Sequence, residues 1–135
     1  MKNIIIEVTR FIYTRQSGKN SNAVNTIREI LDTRYSEHIT IEDLVKKVFL
    51  TPNYISNIFK ESVGDSVIDY LTKVRMKHAA RLLSDPVLKI YEVAEAVGFA
   101  NNSYFANVFK GMYGVTPKEY REKIKANEEQ DSKSN

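Results

Sequence analysis

Apolar residues recur three or four positions apart through most of this chain, the period of a helix with one buried face, and cap-forming polar residues interrupt them. Val24, Ile27, Leu31 and Tyr35 predict a first helix over about 23–35. Thr40 followed by Asp43 has the form of a reciprocal cap and opens a second helix, with Leu44, Val45 and Val48 inward. After a short turn at Phe49-Leu50, Thr51 caps a third helix. Pro52 takes its first position, where the missing N–H costs nothing. Ile55, Ile58 and Phe59 form the buried face, and Gly64 is the expected left-handed stop. Ser66 with Asp69 starts a fourth helix that runs to about Ser84, where Asp85-Pro86 ends it. It has two apolar seams, Val67, Leu71, Val74 and Leu82 on one and Ile68, Ala79 and Leu83 on the other, and is expected to lie between partners.

A fifth helix spans about 89–97 with Val93, Ala94 and Val97 inward, and Gly98 permits the tight turn after it. Asn101 or Asn102 caps a sixth helix, whose buried face reads Phe105, Val108, Phe109 and Met112. Gly114 stops it, and Thr116, Pro117 and Glu119 open a seventh helix carrying Tyr120 and Ile124. At the N-terminus, Ile4, Ile5, Val8, Phe11 and Ile12 fit a helical stripe better than a strand, and the polar stretch from Gln16 to Asn22 reads as a linker or turn. From Ala126 the chain is polar and charged, and disorder is expected over 126–135.

Two of these segments are near-copies. Tyr54-Ile55-Ser56-Asn57-Ile58-Phe59-Lys60 answers Tyr104-Phe105-Ala106-Asn107-Val108-Phe109-Lys110 at an offset of 50, and both copies continue to a glycine (Gly64, Gly114) and a tyrosine (Tyr70, Tyr120). Ile41, Leu44 and Val48 answer Ile90, Val93 and Val97 at an offset of 49, so the second copy has one extra residue between its two helices. One helix-turn-helix unit therefore occurs twice. The expected class is all-α, about seven helices, with first unit about 41–63, linker helix about 66–84 and second unit about 89–113.

Composition narrows the chemistry. Hydrophobic residues at 42% and charged residues at 27% are globular values, and the absence of cysteine removes disulfides, thiolate catalysis and cysteine zinc sites. No apolar run is long enough to span a membrane, which with the lack of cysteine suits a cytoplasmic protein. No phosphate loop or nucleophile motif is present, so neither an enzyme nor a cofactor is expected. His38 and His78 have no partner histidine at helical spacing and read as structural, with no metal. The net charge of +3 is unevenly spread: residues 1–20 carry four Lys/Arg against one Glu, whereas residues 21–123 carry fourteen against thirteen acids. Net charge thus gives little support for a nucleic-acid partner, and the placement of charges must decide.

The arrangement nevertheless resembles a known family. Two helix-turn-helix units bridged by a helix carrying Arg75, Ala79, Leu82 and Leu83 are similar to the DNA-binding domain of the AraC/XylS family of bacterial transcription regulators. The second unit, from Ile90 through Val97-Gly98-Phe99, Tyr104-Phe105, Phe109-Lys110, Gly114 and Pro117 to Tyr120-Arg121, resembles that family's signature region. The first unit, Val48-Phe49-Leu50-Thr51-Pro52-Asn53-Tyr54-Ile55-Ser56, is similar to the branch at the C-terminus of two-component response regulators. The resemblance covers about 23–125. It implies double-stranded promoter or operator DNA as partner, with an upstream receiver or sensor domain, for which residues 1–22 would be an interdomain linker, and RNA polymerase as further partners. Gly111, inside the expected sixth helix, departs from good helix composition by about 1 kcal/mol against alanine.

Such units read DNA by laying the second helix in the major groove. Subtracting the buried face of the third helix leaves Asn53, Ser56, Asn57 and Lys60; the sixth leaves Asn102, Ser103, Ala106, Asn107 and Lys110. Asparagine pairs with adenine, serine with several bases, and alanine with the thymine methyl, so these side chains are the candidate base readers. Lys60 and Lys110 are candidate phosphate contacts, and Lys73 and Arg75 of the linker helix, with Lys77, are candidates for further phosphate contacts or for contacts between the units. Asn53 and Asn102 are equally suited to capping, whereas Asn57 and Asn107 fall mid-helix, where asparagine needs another reason. Tyr54 and Tyr104 are assigned to the core by their spacing. A linker of about eighteen residues would span roughly 27 Å and set the reading helices about one DNA turn, roughly 34 Å, apart in successive major grooves. The competing reading is a helical protein-interaction module that does not bind DNA, favoured by the weak charge and by reading faces without arginine.

Overall fold

The computed structural model describes residues 2–133, with side chains placed from residue 18 onward. Among the described residues there are seven α-helices and no strand: α1 Lys2–Thr33, α2 Ile41–Val48, α3 Pro52–Val63, α4 Val67–Leu82, α5 Ile90–Ala96, α6 Asn102–Tyr113 and α7 Pro117–Lys133. The all-α expectation and the order of the elements both hold. The chain divides into two compact units, the first made of residues 1–33 and 39–70, the second of 34–38 and 71–135.

In the first unit Val24, Ile27 and Leu31 of α1, Leu44 of α2, and Ile55, Ile58 and Phe59 of α3 are all buried. Thr40 and Asp43 form the expected reciprocal cap: the Asp43 N–H donates to Thr40 Oγ1 at 3.2 Å and the Thr40 N–H to Asp43 Oδ2 at 2.9 Å. The α2–α3 turn pivots on Phe49, which takes the left-handed conformation at φ 56° despite its side chain. Thr51 then caps α3, accepting from the Tyr54 N–H at 3.3 Å, and Gly64 at φ 94° ends it.

The second unit is centred on Met76, Ala79 and Leu83 from the α4 segment, Val93, Ala94, Val97 and Phe99 around α5, and Phe105 and Phe109 of α6. Gly98, at φ 97°, holds the position that Phe49 holds in the first unit. Thr116 and Glu119 cap α7 reciprocally, which holds the Glu119 carboxyl below its ordinary range through its hydrogen bonds to Thr116. The repeated phenylalanine of each copy meets its tyrosine in the same way: Phe59–Tyr70 is edge-on at 5.5 Å and 83°, and Phe109–Tyr120 at 5.3 Å and 78°.

Four expectations are corrected. The polar stretch 16–22 makes no turn: α1 runs through it unbroken. It contains glycine, serine and asparagine but no proline, so each residue costs at most about 1 kcal/mol and no backbone donor is lost, and a helix already nucleated propagates through. The side chains of the stripe from Ile4 to Ile12 lie outside the described residues. The tail likewise continues α7 to Lys133, carried by Ala126, Glu128, Glu129 and Gln130, which are good helix formers. Ile68, assigned to a seam of the linker helix, is 76% exposed, and Met112, assigned to the buried face of α6, is 43% exposed. Both lie near a helix terminus, where the neighbouring elements no longer cover the full apolar stripe.

Candidate nucleic-acid interface

The outward surface of α3 follows from what holds its inward one. Ile55, Ile58 and Phe59 are buried, so Asn53, Ser56, Asn57 and Lys60, spaced i, i+3, i+4 and i+7, form one continuous exposed face. In α6, with Phe105 and Phe109 buried, Asn102, Ser103, Asn107 and Lys110 are exposed and Ala106 is half-buried. Lys73 of α4 is exposed as well.

The caps resolve what Asn53 and Asn102 leave open in sequence. Thr51 caps α3, and Asn101, one residue before Asn102, caps α6 by accepting from the Tyr104 N–H at 2.9 Å. Neither Asn53 nor Asn102 is the cap residue, and both stand on the first turn of an exposed helix face. Asn57 and Asn107 are also exposed, one turn further on.

Arg75 has a different task from its neighbour Lys73. Its Nε donates to the Tyr35 carbonyl at 2.7 Å and its Nη2 to the Glu37 carbonyl at 2.9 Å, and the guanidinium lies over the Phe99 ring at 5.6 Å. Burial lowers its pKa from the ordinary arginine value. Arg121, not singled out by the sequence reading as a working residue, repeats this clamp on the Leu83 and Asp85 carbonyls at 2.9 and 3.2 Å. Each arginine satisfies carbonyls, two residues apart, just past a helix C-terminus, where the helix itself offers no donors. The expectation that Arg75 contacts phosphate thus meets a guanidinium already committed to backbone oxygens.

Two tyrosines depart from the core assignment. Tyr104 is 61% exposed on the first turn of α6, next to Ser103 of the reading face, with its ring tilted against Phe99 at 5.8 Å. Tyr54 is 38% exposed and its hydroxyl donates to Asn20 Oδ1 of α1 at 2.8 Å. An aromatic at the third position of a helix lies at the edge of the buried stripe, which spacing alone cannot distinguish from its centre. His78 stacks on Tyr35 with ring centroids 3.9 Å apart, in keeping with a structural role.

Known proteins share this arrangement. A family model described as "Helix-turn-helix domain" matches residues 44–123, the larger part of the chain. A probable AraC family transcriptional regulator from Rhodopseudomonas palustris is 31% identical in sequence, with a TM-score of 0.69 over 76% of this chain and 96% of that one. The chain belongs to the AraC-type helix-turn-helix family. Among AraC-type structures it is also similar to the C-terminal domain of the two-component response regulator yesN from Fusobacterium nucleatum. That match is 40% identical, with a TM-score of 0.70 over 74% of this chain and 98% of the other. The Msm operon regulatory protein of Streptococcus mutans is 32% identical over 124 residues, covering 91% of this chain and 45% of that protein. The AraC-type domain described here thus spans less than half the length of that relative. Among the described residues, no helix is long and apolar enough to cross a membrane.

Proposed function

We propose that this chain is the DNA-binding part of a transcription regulator, acting by sequence-specific binding to double-stranded DNA and not by catalysis. Each unit lays its second helix, α3 or α6, into the major groove of one duplex. Asn53, Ser56 and Asn57 of α3, with Asn102, Ser103, Ala106 and Asn107 of α6, read base edges. Lys60, Lys110 and Lys73 contact phosphates, and Arg75 contributes by holding the second unit together. The observation that carries this reading is the recurrence of an exposed Asn–Lys face on both helices, in residues that neither cap nor pack. Core packing requires no such recurrence, and the family supports it.

In a longer regulator the chain would follow a receiver or sensor domain and work alongside RNA polymerase in the cytoplasm, as the similarity to a response-regulator domain suggests. Selection of sites from a random duplex library tests the central claim. An enriched, asymmetric site is expected, because the two faces differ at Ser56 against Ala106. Recovery of no consensus, with no salt-dependent association to any duplex, would leave a protein-interaction module as the better reading.

A further inference from the structure

Reading faces alone do not account for the electrostatics that DNA binding requires. A duplex presents one charge per about 1.7 Å of axis, and affinity comes largely from neutralised phosphates. Yet residues 21–123, with fourteen basic against thirteen acidic groups, are nearly neutral, and the faces of α3 and α6 offer one lysine each. Where the remaining positive charge sits is therefore the open matter.

Within the first unit, α1 and the end of α2 enclose an open cleft of about 320 Å³. Lys19, Asn20, Asn22 and Thr26 line it from α1 and Lys47 from α2, and no carboxylate is among its lining residues. Both lysines are exposed, and neither forms an ion pair with the described residues. The cleft is tied to the reading helix by a direct bond, since Asn20 Oδ1 accepts the hydroxyl of Tyr54 on the first turn of α3. It thus opens beside the end of α3 that carries Asn53. Basic residues in the last turn of α2 also complement the helix dipole, which accounts for Lys46 and Lys47 but not for a lysine and two carboxamides of another helix lining the same cleft as Lys47.

We propose that this cleft seats one backbone phosphate of the DNA, with Lys19 and Lys47 as its cations and Asn22 as a neutral donor, so that α1 is part of the DNA-binding surface of the first unit. The proposal rests on the DNA-binding reading above, and extends it to a helix outside the helix-turn-helix units. An acceptor phosphate there would fix the register of α3 in its groove without reading sequence.

The test is the salt dependence of affinity for a selected site and for random duplex. Lys19→Gln combined with Lys47→Gln should lower the slope of log affinity against log salt by about one unit, the loss of a single phosphate contact. The ratio of specific to random affinity should stay unchanged. Lys46→Gln, beside the cleft but not lining it, should leave the slope alone, and the paired Lys→Arg variants should retain it. Melting temperatures of all variants, whose sites are exposed, report whether folding is kept. An unchanged slope in the double glutamine variant, with wild-type binding intact, overturns the cleft proposal and spares the DNA reading. Absence of any salt-dependent binding by the wild-type chain overturns both. If inorganic phosphate at low millimolar concentration saturates the cleft while the DNA slope of the variants stays at the wild-type value, the site belongs to a free anion and the proposal fails.

Discussion

Gly98 and Gly111 are both glycines of the second unit, and their surroundings give opposite predictions. Gly98 sits at φ 97°, and a Cβ there would lie 3.1 Å from the Arg75 guanidinium and 3.1 Å from the Ser36 carbonyl oxygen. Gly98→Ala is therefore expected to destabilise the fold by about 1–3 kcal/mol, through left-handed strain and displacement of the arginine clamp. Gly111 is helical and exposed, with nothing within 4 Å of an added Cβ, so Gly111→Ala should stabilise by up to about 1 kcal/mol. Denaturant melts of the two variants check both signs. On the reading faces, Asn57→Ala and Asn107→Ala should each relax discrimination at one base by about 1–3 kcal/mol, while Lys60→Ala and Lys110→Ala weaken binding to all sequences alike. Competition assays with single-base variants of a selected site separate the two classes. Equal loss of specific and random binding in the asparagine variants would mean that they do not read bases. Most of this was legible in sequence because the buried residues of α3 and α6 repeat at fixed spacing, so their complement could be found by subtraction. What was not legible depends on contacts distant in sequence: the engagement of Arg75 with carbonyls 40 and 38 residues away, and the exposure of Tyr104.

At the scale of elements, caps and stops were the readable features, because a threonine, proline or glycine acts on its own helix within a few residues. The continuity of α1 through Gln16–Asn22 was not, since weak helix formers are decided by cooperativity over the whole helix. One tie between elements gives a pH prediction. The Tyr70 hydroxyl of α4 donates to Asp32 Oδ1 of α1 at 2.7 Å, and burial together with that carboxylate pushes its pKa up to about 12. A folded pKa above the ordinary value of 10.0 means the neutral phenol is favoured by folding. The tie contributes fully below that ordinary value and is lost as pH rises through about 12. Alkaline unfolding monitored by helical circular dichroism should accordingly steepen in that window, and Tyr70→Phe should flatten it at some cost in stability at neutral pH. Identical profiles for the two proteins would show that the hydrogen bond carries no linked stability.

For the molecule as a whole, α4 is one unbroken helix of 16 residues, somewhat shorter than the sequence suggested. A helix of that kind does not stretch, so inserting about five base pairs between the two sub-sites of a selected operator, half a DNA turn, should reduce binding to that of one unit. A further five should not restore it. Full affinity at every spacing would mean that only one unit enters the groove. The partition of the chain carries a different consequence. Residues 34–38, between two helices of the first unit, belong to the second, where Arg75 holds the Tyr35 and Glu37 carbonyls. The backbone accordingly passes from one unit to the other three times, and no single cut yields both units whole. In sequence the repeat looks separable, but the order of the chain is interleaved: when synthesis has reached residue 70, α1, α2 and α3 have been made, yet residues 34–38 still lack Arg75, the side chain that holds their carbonyls.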